Sequence, residues 1–257
     1  MKKLLLATTA IVMLSAGAPA IAADMAVKAR PLPPPPCAAA RFAGGYIGIN
    51  AGAVNWTANR TDQDEVLVDT ATYVQKKWGG LIGGQIGYNW TTCNTLWGIE
   101  LDGDWSRTNV STQLIPNAPF FNINITSRFD GLVTARTRAG IVMDNLLIYV
   151  TGGLAAGHFR TTYTSAFNIP GVIAVSNQVE SSQWRWGFVA GFGTEWAWSD
   201  SVSIRSEVLY VDFVDRENRF LFAAPATFAN FTESDSMWIT RIGLNWRFGK
   251  NPVVARY

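Results

Sequence analysis

The sequence lacks a long apolar run anywhere beyond its N-terminus. No later stretch approaches the ~18 consecutive apolar residues of a transmembrane helix. The N-terminal run, Leu4 to Leu14, is too short to span a membrane. It follows two lysines and precedes small residues that end at Ala22, which predicts a signal peptide over residues 1–22. A secreted chain that enters a membrane without spanning helices must do so as a closed β-barrel.

Net charge, cysteine and histidine are also scarce. Charged residues make up 16% of the chain, and removing the two signal-peptide lysines from the 21 basic residues leaves 19 against 19 acidic residues. A neutral chain does not offer the basic surface that nucleic-acid binding needs. Two cysteines and one histidine, all far apart, do not have metal-site spacing. The sequence therefore predicts no nucleic-acid partner, no metal site and no cofactor.

His158 is the one candidate for acyl-transfer chemistry, which needs a serine and a carboxylate beside a histidine. It is followed by Phe159 and Arg160, and no serine two residues on shares its face. The sequence therefore predicts that the protein is not an enzyme and that His158 is a polar residue near the outer rim. Haem ligation is the remaining alternative.

The stretch from Trp184 to Trp198 has a period of two. Its even-numbered positions carry Trp, Phe, Ala and Thr, whereas its odd-numbered positions carry glycines and small residues together with Arg185 and Glu195. A strand with one apolar face and one face of glycine and opposite charges fits a barrel wall between lipid and a filled interior.

Eight segments show strand-like patterning. Connections of a few residues, at 91–95, 144–145 and 199–200, alternate with connections of about twenty residues. Short periplasmic turns and long outer loops are typical of outer-membrane barrels. The sequence therefore predicts an all-β fold, an eight-stranded antiparallel up-and-down transmembrane β-barrel over residues 44–248. The predicted strands are Gly44–Trp56, Lys76–Trp90, Leu96–Arg107, Arg128–Met143, Leu146–Arg160, Gln183–Trp198, Val202–Asp215 and Ser236–Phe248.

The eleven tryptophans agree with this topology. Each lies near a predicted strand end, which indicates two aromatic belts at the membrane interfaces. Those at the turn ends are Trp90, Trp97, Trp196, Trp198 and Trp246, and those at the loop ends are Trp56, Trp78, Trp105, Trp184, Trp186 and Trp238.

Five short motifs occur in order: Gly45 to Gly48 (GYIG), Gly83 to Asn89 (GGQIGYN), Tyr149 to Gly153 (YVTGG), Glu207 to Asp212 (EVLYVD) and Arg241 to Phe248 (RIGLNWRF). Through them the chain resembles the small outer-membrane β-barrel proteins of alphaproteobacteria, the porin-like surface antigens. The resemblance implies a barrel similar to the OmpA transmembrane domain, placed in the bacterial outer membrane by the barrel-assembly machinery. That machinery recognises a terminal aromatic residue, which here is either Phe248 or Tyr257.

Two segments are assigned to the periplasm outside the barrel. Residues 23–43 include the run Pro33 to Pro36 and are predicted to form a Pro-rich tether, with a partner-binding peptide as the alternative. Residues 249–257 form a C-terminal extension. Cys37 and Cys93 both fall on the periplasmic side, so we predict that they form a disulfide in that oxidising compartment.

The inward phase of the predicted strands carries charges of both signs. An eight-stranded barrel has an interior just wide enough for side chains to fill, and charges confined there are tolerated only when paired. The sequence therefore predicts a network of paired charges that plugs the barrel. Its members are Glu100, Asp102, Asp104, Arg136, Arg138, Arg185, Glu195, Arg205, Glu207, Arg241 and Arg247.

The outer connections are less polar than most loops. They contain Pro119 to Phe121, Ile169 to Ile173, and Phe220 to Phe222 with Phe228 and Phe231. These groups either pack together as a cap or form a contact surface for a host or neighbouring protein. We expect a structural, surface-exposed protein whose partners are outer-membrane lipid and lipopolysaccharide. A diffusion pore for small solutes and a surface adhesin or haem-binding barrel are the alternatives.

Overall fold

The computed structural model describes residues 38–63, 72–114, 121–169, 173–223 and 226–248, all of which belong to one compact unit. A short 3-10 helix spans Ala38–Phe42. The strands are β1 (Gly44–Asp62), β2 (Thr72–Thr92), β3 (Thr95–Leu114), β4 (Phe121–Met143), β5 (Leu146–Ile169), β6 (Ile173–Ala197), β7 (Val202–Phe213), β8 (Arg216–Ala223) and β9 (Ala226–Phe248). No helix in these ranges is both long and apolar enough to cross a membrane.

Every strand pairs antiparallel with its neighbours in the chain from β1 to β7, and β7 pairs with β9. The register runs without a break from Gly45↔Phe248 to Asp62↔Phe231 between β1 and β9. This last pairing joins the first and last strands, so the sheet closes into a ring. The predicted eight-stranded up-and-down barrel is confirmed.

The structure has nine strands because two successive strands, β7 and β8, both pair with β9 where the sequence predicted a single seventh strand. β7 pairs with β9 as far as Asp212↔Ser236, and β8 resumes the pairing at Arg216↔Glu233. Three residues therefore face two on β9, which is a bulge that interrupts the ladder. At this point the N–H of Val214 donates to Trp186 O on the other neighbouring strand (3.0 Å). The prediction of one continuous strand over Val202–Asp215 is corrected accordingly.

The strands are longer on the outer side than the sequence predicted. β5 runs to Ile169, not Arg160, and β6 begins at Ile173, not Gln183. The predicted strands ended where the outward residues cease to be apolar. Main-chain pairing does not depend on lipid contact, and it continues through a segment rich in threonine, a residue that favours extended backbone. At ~3.3 Å per residue and a tilt near 45°, these ten or so residues extend the wall about 20 Å beyond its membrane part.

The predicted apolar loops fall mostly within or beside these extensions. Pro119, Phe120 and residues 170–172 lie outside the described residues, and the others contribute described backbone to β4, β5, β6, β8 and β9. Their side chains also lie outside what is described, so the choice between a cap and a contact surface stays a prediction.

The outward face carries a band of exposed aromatic and aliphatic side chains. Ten of the eleven tryptophans are exposed on it, and the run from Trp184 to Trp196 spans about 30 Å along the barrel axis, the thickness of a hydrocarbon core. Trp56 is the exception because it is fully buried inside the barrel. Its assignment to the outer belt is wrong: the loop-end position is right, but its phase on β1 turns it inward.

The predicted boundary of the Pro-rich tether also needs correction. Residues 38–42 form the 3-10 helix, and Ala39 and Phe42 are fully buried beneath the barrel. The signal peptide, residues 23–37 of the tether and the extension over residues 249–257 lie outside the described residues, so their assignments stay predictions.

Candidate functional site

The inward side chains form layers along the barrel axis. On β9, Arg241 is followed by the apolar Ile239 and Met237 and then by Asp235 and Glu233, all of them buried. On β6 the same order runs from Glu195 through Val189 to Arg185. A lower charged layer is thus separated from an upper charged layer by an apolar layer.

The lower charged layer contains Glu100, Asp102, Asp104, Glu195 and Glu207 together with Arg136, Arg138, Arg205, Arg241 and Arg247. Arg136 lies at its centre. It pairs with Glu100, with Asp102 at 3.1 Å and with Glu207 at 2.9 Å. Arg241 pairs with Asp102 from the opposite wall at 2.9 Å. Five carboxylates meet five guanidinium groups, so the layer as a whole is neutral.

Arg138 is held by aromatic rings as well as by charge. Its guanidinium carbon lies 4.7 Å from the centre of the Tyr46 ring and 5.2 Å from that of Tyr149, and its Nη1 lies 3.0 Å from Glu195 Oε2. The Tyr149 ring occupies the space beside an interior glycine: a Cβ on Gly193 would lie 2.6 Å from Tyr149 Cζ. Glycines in this wall make room for large interior side chains.

The apolar layer closes the lumen above these charges. The rings of Trp56, Phe129 and Phe159 pack with centroids 5.4 to 6.4 Å apart, and Phe213 packs edge-on against Phe159 at 5.1 Å. Aliphatic side chains complete the layer, namely Val54, Ala58, Leu81, Val110, Leu132, Ala155, Val189, Leu209, Val211, Met237 and Ile239. The sequence predicted only charges in the interior. The inward positions after Glu207 on β7, which are Leu, Val and Phe, were the available signal.

The upper charged layer consists of Arg60, Arg185, Glu233 and Asp235. Asp235 accepts a hydrogen bond from Trp56 Nε1 (2.8 Å) and pairs with Arg60 at 3.1 Å. The Tyr163 hydroxyl donates to Glu233 at 2.7 Å, and burial raises the pKa of that phenol well above its ordinary value. Tyr163 therefore stays a neutral donor. Two carboxylates balance two guanidinium groups, so this layer is also neutral.

All eleven charged residues that the sequence assigned to the interior have buried, inward side chains. Ten of them lie in the lower layer, but Arg185 lies in the upper layer and pairs with Asp235. The sequence missed Arg60, Glu233 and Asp235 because the predicted strands ended at Trp56 and began at Ser236. The period-two alternation, continued past those ends, would have found all three.

The 3-10 helix closes the periplasmic end. Phe42 packs in a buried cluster with Leu96, Val142, Leu147, Tyr149, Ala39 and Ala197. Asn89 Nδ2 donates to the Phe42 carbonyl at 2.8 Å, and the Arg247 guanidinium lies 5.2 Å from the centre of the Phe42 ring. The segment just before β1 therefore acts as a floor.

His158 lies on the outward face near the outer belt, with its ring 5.1 Å from that of Trp184. Its Nδ1 lies 3.2 Å from Asp130 Oδ2, and its Nε2 lies 3.2 Å from Ser182 Oγ. No serine lies two residues after His158 on its own strand, but Ser182 reaches the ring from the neighbouring strand β6, a cross-strand contact that the spacing along the sequence did not reveal. Both ring nitrogens have partners, which does not suit a haem ligand.

The order of these three side chains is that of an acyl-transfer triad, but two features argue against that chemistry. Asp130 also pairs with Arg128 at 2.6 Å and Arg160 at 2.8 Å, so two positive charges oppose the formation of an imidazolium. Ser182 lies within an extended strand, where successive N–H groups point to opposite edges and cannot converge on an oxyanion.

Cys93 is exposed in the turn between β2 and β3 and forms no disulfide with another described residue. Cys37 lies outside the described residues, so the predicted disulfide stays a prediction. The Ala39 N–H donates to the Cys93 carbonyl at 3.0 Å, so the chain two residues after Cys37 runs beside this turn. Among the described residues, no group of three or more His, Cys, Asp or Glu side chains is placed to hold a metal ion.

Residues 7–248 match the family model described as the outer membrane protein beta-barrel domain. The chain belongs to this family. It is therefore an outer-membrane β-barrel protein, and its location is the bacterial outer membrane.

Relatives and a solved barrel agree. The 31 kDa outer-membrane immunogenic protein of Brucella melitensis is 30% identical, over 96% of this chain and 100% of its own length. The 22 kDa outer membrane protein of Rhizobium leguminosarum is 26% identical over 52% of this chain and 54% of its own. The Pseudomonas aeruginosa outer membrane protein OprG is 14% identical with a TM-score of 0.53, and the match covers 81% of this chain and 97% of that one. That likeness concerns the fold alone.

Proposed function

We propose that this outer-membrane protein is a closed barrel with a structural and surface-exposed role, and that it does not conduct solutes. The observation that supports this most is the apolar layer around Trp56, Phe129 and Phe159, which lies between two neutral layers of paired charge. An ion that crossed the barrel would have to give up its hydration shell to enter that layer, at a large cost in free energy.

The charged layers also oppose the conduction of solutes through the barrel. Arg136, Arg205 and Arg241 have no exposed side-chain surface, and each is paired with carboxylates from more than one strand. Opening a path between them would separate charges that are already desolvated, which typically costs ~3 to 5 kcal/mol for each broken pair. The interior thus stabilises the wall and obstructs transport.

The surface role rests on the outer strand extensions. β5 and β6 pair continuously from Phe159↔Gln183 to Ile169↔Ile173, above the level of the outer tryptophans. This extension of the wall is the part of the molecule that an external partner reaches first. Relatives named as immunogenic outer-membrane proteins are consistent with such a surface.

The test is the conductance of the refolded mature protein in planar bilayers. We expect no steady unitary current, or brief flickers far below the currents of sixteen-stranded porins. The matched variant is Trp56→Ala with Phe159→Ala, which empties much of the apolar layer and should raise the frequency of flickers without giving wide channels. Large, steady currents from the monomeric parent would refute a closed barrel and favour the diffusion pore.

A further inference from the structure

The outward wall carries a polar cluster at the level of the outer tryptophans. It consists of Arg107, Arg128, Asp130, His158 and Arg160, and we call it the rim cluster. Asp130 is the extra residue of a β4 bulge between Phe129↔Phe159 and Gly131↔His158. The bulge changes the phase of β4, because Phe129 and Leu132 both face inward. It thereby turns Arg128 and Asp130 toward the lipid.

Asp130 organises the two arginines that flank it. Arg128 and Arg160 are direct cross-strand partners, and the Nε atom of each lies within ion-pair distance of the Asp130 carboxylate, at 2.6 and 2.8 Å. In the described part of the chain, neither has a second carboxylate partner. The terminal amino groups of both guanidiniums, which form the fork that recognises phosphate, are thus left for another ligand. Their side chains are 36% and 46% exposed, so such a ligand can reach them.

Two stacking contacts fix the depth of the cluster. The Arg107 guanidinium carbon lies 4.6 Å from the centre of the Trp105 ring, and the His158 ring lies against Trp184. Because interfacial tryptophans sit at headgroup level, the rim cluster faces the headgroups of the outer leaflet. Its three guanidiniums and one carboxylate carry a formal charge of +2 when His158 is neutral. On the other side of the barrel, the same rim carries Asp212 on the outward face of β7.

A depression of about 530 Å³ descends the wall directly from this cluster. Trp105, Trp184 and Ile82 border it, and Gly103 and Gly131 form part of its floor. Because glycine has no side chain, the depression stays open at Gly103, where an added Cβ would meet no atom within 4 Å. A lipid would fill both parts of this site if its phosphate bound to the rim cluster and its acyl chain lay in the depression.

We infer that the rim cluster and this depression bind one lipid A molecule of the outer leaflet, through a phosphate held by Arg128 and Arg160 and an acyl chain laid over Gly103. The occupant is a phosphorylated lipid because the charged end of the site is cationic and the rest is apolar. It is lipid A because the site opens on the outer face of the outer membrane. The inference does not depend on whether the barrel conducts.

The experiment measures the thermal midpoint of the refolded mature protein in neutral micelles as lipid A is added. The parent is compared with Arg128→Gln/Arg160→Gln, and Arg216→Gln serves as the charge control because Arg216 is exposed on β8, outside the cluster. Each arginine beside an anionic surface is worth ~1 kcal/mol, so losing two should weaken apparent affinity about thirtyfold. Asp130→Asn added to the double variant removes the stranded carboxylate, in case the double variant folds poorly.

A second pair of variants tests the acyl part of the site. Gly103→Leu fills the open floor and should reduce the lipid-induced shift. Gly152→Leu is the matched control, since its Cβ would also face outward with its nearest atom at 3.6 Å, but it does not line this depression.

Three outcomes would overturn the inference: an unchanged response in the arginine variants, an equal shift with dephosphorylated lipid A, or an equal shift with phosphatidylglycerol. Inorganic phosphate alone should give no shift at millimolar concentration. A shift from phosphate equal to that from lipid A would likewise contradict a lipid site.

Discussion

Replacing Arg138 with alanine should destabilise the barrel more than a lipid-facing change such as Val133→Ala. Arg138 is buried and donates from Nε to Asn89 Oδ1 and from Nη1 to Glu195 Oε2, both at 3.0 Å. Without it, Glu195 keeps the Ser203 hydroxyl at 2.5 Å, and its nearest remaining ion-pair partner is Arg247 at 3.7 Å. The lower charged layer changes from neutral to a formal charge of −1 at a buried position.

Removing one partner of a buried pair typically costs ~3 to 5 kcal/mol, and we expect the free energy of unfolding to fall by about that amount. The control is Val133→Ala, which should cost less than ~1 kcal/mol because lipid chains fill the space left on the outward face. Equilibrium urea unfolding of both variants in lipid vesicles, followed by tryptophan fluorescence, measures the difference. The pair Arg138→Met/Glu195→Gln should recover most of the loss, since it removes both charges.

The reasoning fails if Arg138→Ala costs no more than Val133→Ala. It also fails if the double variant is as unstable as Arg138→Ala, because the loss would then come from packing against the tyrosine rings and not from a stranded carboxylate.

Two further predictions concern the wall and the floor. Gly193→Val should lower the free energy of unfolding by the ~1 to 3 kcal/mol typical of overpacking, because its side chain would overlap Tyr149. Gly152→Val should change the free energy of unfolding little. Free-thiol labelling of the native, unreduced protein should leave Cys37 and Cys93 unmodified, because we expect them to be bridged in the oxidising periplasm. Stoichiometric labelling of both would show that no bridge forms.

The membrane part of the barrel could be predicted because lipid imposes a strict requirement on every second residue. Trp184, Phe188 and Trp196 on one face and Arg185 and Glu195 on the other identify β6 without any tertiary information. Beyond the outer belt that requirement ends, and both faces of the same strands become polar. The extensions of β5 and β6 are specified by main-chain pairing between strands, which composition does not reveal.

The sequence showed which side chains face the interior, but not at which height along the barrel axis they lie. Alternation shows that Arg205, Glu207, Leu209 and Val211 all face inward on β7. It does not show which of them share a height with residues on other strands, since that depends on the stagger between strands. The register brings Arg136 on β4 to the same height as Glu207, and only that register reveals the apolar layer above.

The division into two neutral layers has a physical reason in the distance between them. Arg241 and Asp235 are six residues apart on β9, which corresponds to about 20 Å along the strand and to a separation of about 14 Å between the layers along the barrel axis. At an effective dielectric constant near 20, unit charges interact by about 5 kcal/mol at 3 Å but only about 1 kcal/mol at 14 Å. A charge lost from one layer therefore cannot be compensated by the other layer. Neutralising Glu233 would leave Arg60 or Arg185 without a balancing charge, whatever charges the lower layer carries. The changes in the free energy of unfolding should therefore be non-additive for two substitutions within a layer and additive for two substitutions in different layers.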